Sequence, residues 1–245
     1  MKMSSTSRRL LLFSNSSMAG EEYLQFASSL INQFKDGWGM SKALFIPYAL
    51  RTHEDYTEKV KKAFHPFGIE IEGIHKAEDP VAAVRSAKAI FVGGGNTFQL
   101  LKGLYDHKLI DPIRKSVLQE GVPYVGWSAG SNVATASICT TNDMPIVHPP
   151  SFHALALVPF NINPHFVDAD PNSTHMGETR EQRIEQYHEI EGMPPVLALR
   201  EGSFLEVHDD SAFLRGRSGA KLFRTGKPVE AFEPEANLSF LLESS

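Results

Sequence analysis

The sequence predicts an α/β fold: a doubly wound, mostly parallel sheet sandwiched by helices, with an antiparallel meander of C-terminal strands at one edge. Three observations carry that expectation. Over the first half of the chain, short apolar runs alternate with segments of helical periodicity, the pattern of parallel strands joined by crossover helices. At 123–136 an apolar run leads through a turn of small residues into a helix-compatible segment. Beyond residue 196 the apolar runs become short and are separated by Gly- or Asp-containing turns, as in a meander.

Taken in order, residues 10–13 form the first expected strand, closed by Ser14 and Asn15, and the nine residues before it read as a loose tail. Leu24, Ala27, Leu30, Ile31 and Phe34 recur at helical spacing and lead to a strand at 43–46. Tyr56, Val60 and Phe64 mark the next helix, ahead of a strand at 69–74. These aromatics read as core. Helices are expected at 80–87, 97–105 and 109–120, and strands at 89–92 and 123–127. From 142 to 172 the pattern loosens into a Pro- and His-containing stretch, long enough to suggest a functional loop. A helix at 178–190 follows, then strands at 196–199, 204–208, 212–214, 221–224 and 228–232. With no repeat or linker, residues 10–245 are expected to be one domain.

Composition narrows the function. The chain has 245 residues, 42% of them hydrophobic and 22% charged, enough for a sizeable core. Its net charge of -5 and the absence of long Lys/Arg runs argue against nucleic acid. The run 10–13 is too short for a signal segment or a membrane span. The single cysteine, Cys139, fits a reducing compartment, so a cytosolic protein is expected. In that setting the glycosylation patterns at Asn15, Asn172 and Asn237 carry no meaning.

The strongest local signal is Gly126-Trp127-Ser128-Ala129-Gly130. After a strand and before a helix, small residues around a serine permit the sharp turn of a nucleophile elbow, leaving the Ala129 N–H free to bind an oxyanion. Upstream, Gly93-Gly94-Gly95 ends a strand, and Asn96 or Thr97 can cap the next helix. That loop offers a second set of oxyanion donors or is simply a tight turn; it has neither the Gly-Lys-Ser/Thr ending nor the fingerprint of a nucleotide site. Among ten histidines, His148, His153 and His165 lie in the long stretch after the elbow and can supply a base. No His-Glu-x-x-His spacing occurs, so no metal is implied.

The blocks Val92 to Leu101, Gly126 to Gly130, Thr140 to Val147, Ile162-Asn163-Pro164-His165-Phe166 and Gly177 to Ile184 together resemble peptidase E, in their order along that family. Its members are aspartyl dipeptidases whose sandwich is related to class I glutamine amidotransferases, and the similarity runs from about residue 10 to about residue 233. The resemblance implies Ser128 as nucleophile and His165 as general base. For the third member, Asp143 matches the acidic residue usually assigned and is placed first, while Glu201 matches a strand-end glutamate that could equally orient the imidazole. It further implies Arg180 as reader of the substrate aspartate, with Asn96 as a further substrate contact, while the N–H groups of Ala129 and of the Gly94-Gly95 turn are inferred from the elbow and the glycine loop to hold the oxyanion. No cofactor is required. The expected partner is an Asp-X peptide, with a homodimer left open. Three alternatives stand beside this reading: a cyanophycinase-like hydrolase, an esterase, and an idle small-molecule binding protein. An amidotransferase is disfavoured because its chemistry needs cysteine where Ser128 stands.

Overall fold

The structure is a computed structural model that describes residues 7–243 apart from 171, 173 and 175. Most of the expected tail and part of the Asn172-Ser173-Thr174 pattern lie outside the described residues.

The strands are β1 (Arg9–Phe13), β2 (Lys42–Ile46), β3 (Glu70–Gly73), β4 (Ile90–Val92), β5 (Tyr124–Trp127), β6 (Asn161–Phe166), β7 (Val196–Arg200), β8 (Ser203–His208), β9 (Ser211–Gly216), β10 (Ala220–Phe223) and β11 (Glu230–Phe232). The helices are α1 (Ser28–Trp38), α2 (His53–Phe64), α3 (Pro80–Ser86), α4 (Thr97–Asp106), α5 (Ile110–Leu118), α6 (Ala129–Val133) and α7 (Arg180–Tyr187). A seven-stranded sheet runs β3-β2-β4-β5-β1-β8-β9, its first five strands parallel and the last two antiparallel. The doubly wound expectation therefore holds. The expected single meander, however, is divided: β8 and β9 finish the large sheet, whereas β10 and β11 join β7 and β6 in a second, mixed sheet of order β11-β10-β7-β6.

Period-two alternation explains why the large sheet is covered on both faces. Leu10, Leu12, Leu44, Ile46, Ile90 and Val92 point into one core with α3, α4, α5, α6 and the second sheet. Leu11, Phe13, Ala43, Phe45, Phe91 and Trp127 point into the other, against α1 and α2. There Phe45 stacks on Trp127 with centroids 5.8 Å apart, and each such buried side chain contributes about 1.5–3 kcal/mol.

Helix ends follow local chemistry. Asp79 caps α3 by accepting from the N–H groups of Val81 and Ala82, with Pro80 in the first turn. Thr179 and Gln182 form a capping box at the start of α7. β1 begins at Arg9, inside the expected tail, and Ser7 N–H already bonds Leu118 O. Among the described residues no helix is long and apolar enough to cross a membrane.

Candidate active site

The carboxyl ends of β1, β4 and β5, where ligands sit in doubly wound sheets, converge on Ser128. This residue links β5 to α6 with φ 53° and ψ -114°, a conformation that costs a non-glycine residue about 1–3 kcal/mol. The turn is possible only because its neighbours are small. A Cβ on Gly130 would come within 2.1 Å of Val92 O, and one on Gly126 within 2.5 Å of Gly130 O. Ser128 N–H donates to Phe13 O at 3.0 Å, which fixes the elbow on β1.

His165 reaches the same point from the second sheet, on β6, a strand that the sequence pattern missed inside the 142–172 stretch. β6 is an edge strand, so its outer carbonyls are met by side chains instead of a neighbour. Asn132 Nδ2 and Thr140 Oγ1 donate to Ile162 O at 2.7 and 2.8 Å, and Asn142 Nδ2 donates to Pro164 O at 2.7 Å. Pro164 interrupts the pairing with β7, the register shifts, and His165 takes φ 54°. The kink aims its ring at the elbow: Nε2 lies 2.9 Å from Ser128 Oγ, and Nδ1 lies 2.7 Å from Glu201 Oε1. A carboxylate can only accept, so Nδ1 carries the proton and Nε2 accepts from the serine hydroxyl.

Asp143 is not brought to His165. Its Oδ2 accepts from Thr97 N–H at 2.7 Å and Thr97 Oγ1 at 2.6 Å, drawn there by the unpaired N–H groups and positive end of α4. Asn96 is likewise engaged, its Oδ1 capping α4 through Gln99 N–H at 3.0 Å and its Nδ2 donating to Met144 O at 2.8 Å.

A serine, a histidine and a glutamate are in bonding contact at an elbow, and comparison with known sequences sets the family. The family model described as "Peptidase family S51" matches residues 10–215. The chain belongs to peptidase family S51. It is 51% identical to a "Probable alpha-aspartyl dipeptidase" of Drosophila melanogaster, over 97% of this chain and 99% of that one. A "Peptidase E" of Streptomyces coelicolor is 48% identical over 96% of this chain and 95% of its own. In fold, the S51 chain resembles a solved peptidase from an acI-B1 actinobacterium, with TM-score 0.70 at 16% identity over 97% of this chain and 98% of that one. The resemblance to peptidase E read from the motifs is thus borne out.

In this S51 chain the serine opens on a cleft of about 360 Å³ walled by Tyr23, Leu50, Tyr56 and Trp127. Gly94 and Gly95 line it too. A Cβ on Gly94 would sit 2.9 Å from Ser128 Cβ, and one on Gly95, at φ 134°, would sit 2.7 Å from Ala49 O, so the backbone there approaches Ser128 as no other residue type would allow. Ala129 opens α6, where its N–H has no intrahelical acceptor. Arg180 opens α7, half-buried. Desolvation, and then Arg183, lower its pKa, while Asp143 works against them, which places Arg180 in Asp143's field. The sequence pattern gives Ser14 and Asn15 no role beyond closing the first strand, although both stand at the carboxyl end of a central strand.

Proposed function

We propose that this chain is a serine dipeptidase that cleaves Asp-X through an acyl-Ser128 intermediate. The observation that carries the reading is the continuous relay from Ser128 Oγ through His165 to Glu201, at the mouth of an open cleft. As Oγ adds to the aspartyl carbonyl, His165 Nε2 takes its proton and then delivers it to the leaving amine. Glu201 steadies the imidazolium through Nδ1–H. The N–H groups of Ala129 and the Gly94-Gly95 turn hold the oxyanion, and a water activated by His165 then releases aspartate from the ester. Glu201, not Asp143, is the orienting carboxylate in this reading.

Arg180 reads the substrate side chain. A half-buried guanidinium can pair a carboxylate in two parallel bonds. Among the described residues Arg180 has no ion pair at bonding distance, whereas its neighbour Arg183 pairs with Glu178. Asp143 favours the charged guanidinium without outweighing its desolvation, and both Asn96 polar atoms are occupied by the protein, so Asn96 is not free to bind the peptide. The Drosophila relative, named a "Probable alpha-aspartyl dipeptidase", points to the same substrate. Comparing kcat/KM for Asp-Leu and Asn-Leu in wild type and Arg180→Met tests this. Wild type should prefer Asp by on the order of a hundredfold or more, and the variant should lose most of that preference. A variant that kept it would move the pocket elsewhere. No observation favours the cyanophycinase-like, esterase or idle-binder alternatives.

A further inference from the structure

We infer that the three residues at the end of β1, Phe13-Ser14-Asn15, form a ledge that aligns the catalytic relay, with Ser14 and Asn15 as positioning residues for His165 and Glu201; the inference rests on the acyl-serine reading above. Each successive residue holds one member. Phe13 O accepts the N–H of Ser128 at 3.0 Å. Ser14 Oγ accepts the N–H of His165 at 2.8 Å and donates to Leu199 O at 2.9 Å. Asn15 Oδ1 accepts the N–H of Gly202, next to Glu201, at 2.8 Å, while its Nδ2 donates to Ser17 O at 2.8 Å.

The backbone shows why such holding is needed. Ser128, His165 and Gly202 have φ of 53°, 54° and 83°, so a left-handed residue stands at or beside every member of the relay. Left-handed serine and histidine persist only where their surroundings over-determine them. Ser14 and Asn15 are 0% and 2% exposed, so water does not compete for their bonds. The ledge itself is rigid: β1 lies between β5 and β8, and Ser14 N–H donates to Ser203 O at 3.0 Å. Three distant segments, the β5 elbow, the kinked end of β6 and the β7–β8 turn, are thereby referenced to one strand end.

The test uses a fluorophosphonate, which forms an Oγ–P bond to an activated serine as the P–F bond breaks, fluoride leaves and the hydroxyl proton passes to His165. The rate of Ser128 phosphonylation would be followed by intact mass in wild type, Ser14→Ala and Ser14→Thr. Alongside it, kcat and KM for Asp-Leu and the far-downfield proton resonance of His165 Nδ1–H bound to Glu201 would be measured. Ser14→Ala should slow phosphonylation and kcat on the order of ten- to a hundredfold, leave KM within about twofold, and lose the resonance. Ser14→Thr, which keeps the hydroxyl, should restore most of the rate and the signal. If Ser14→Ala does not fold, Asn15→Ala, which removes the acceptor of Gly202 N–H, should slow phosphonylation and kcat and lose the resonance in the same way. Wild-type rate and an intact resonance in the alanine variants would overturn the ledge. Failure of wild-type Ser128 to react at all would instead overturn the acyl-serine reading beneath it.

Discussion

Ser128 and His165 stand 2.9 Å apart, yet opposite kinds of structure hold them. The serine sits on a device assembled within a few residues: an apolar strand, a turn that only small residues allow, and the first turn of α6. The histidine sits on an edge strand whose backbone is held from outside by Asn132, Thr140, Asn142 and Ser14, contributed by chain segments from 22 to 151 residues away. A locally built site is robust to changes elsewhere and sensitive to any added atom. A remotely built one tolerates local variation and depends on distant polar side chains.

The largest effect should come from removing the proposed nucleophile. Ser128→Ala is expected to lower kcat/KM for Asp-Leu by on the order of thousands-fold or more while the fold survives, since little packing depends on a half-exposed hydroxyl. Steady-state kinetics beside circular dichroism checks it, and near-normal turnover would remove Ser128 from the mechanism.

Next comes the choice between the two carboxylates. Glu201→Gln should cost on the order of a hundredfold or more in kcat with little change in KM, because the amide cannot stabilise an imidazolium. Asp143→Asn, which still caps α4 but weakens the field on Arg180, should act chiefly on KM. The reverse pattern would return Asp143 to the relay and set aside the observed Glu201 contact.

The contrast between the two regions can be sharpened with one substitution in each. Gly130→Ala places a Cβ 2.1 Å from Val92 O, backbone that cannot step aside, and should cost about 2–4 kcal/mol in urea unfolding. Thr140→Val removes one bond to the edge of β6 at nearly constant volume and should cost about 1 kcal/mol. Equal costs would erase the distinction between a local and a remote scaffold.

The smallest effect concerns acid. Asp168, just beyond β6, is held down to about 2 by hydrogen bonding from Arg200, with Lys221 adding to it and burial opposing. Because the folded value lies below the ordinary 3.8, its contribution is fully present above about pH 4 and fades as pH falls toward 2. Its side chain is 42% exposed, so the contribution should be no more than about 0.2–1 kcal/mol. Urea midpoints of wild type and Asp168→Asn should differ near neutral pH, draw together below about pH 4 and converge only below about pH 2. A gap that persisted in acid would mean that the pair contributes nothing through charge.

Where the physics is local, the sequence determined the outcome. Alternating Leu10 to Phe13 and Phe45 to Ile46 specify strands buried on both faces, and Tyr56, Val60 and Phe64 specify the inner face of α2. Small residues around Ser128 specify the elbow. Only the tertiary structure decided the rest. β6 was illegible because an edge strand carrying Asn161, Asn163 and Pro164 breaks the strand pattern, its hydrogen bonds being completed by side chains from elsewhere. The split of the C-terminal strands between two sheets leaves no trace in their periodicity, because either sheet buries one face of a strand equally well. That Glu201 and not Asp143 meets His165 was beyond the sequence for a related reason. Both are acidic residues in turns, and nothing local reveals that one faces an imidazole while the other is drawn to the positive end of α4; that is decided by where β6, β7 and α4 come to rest.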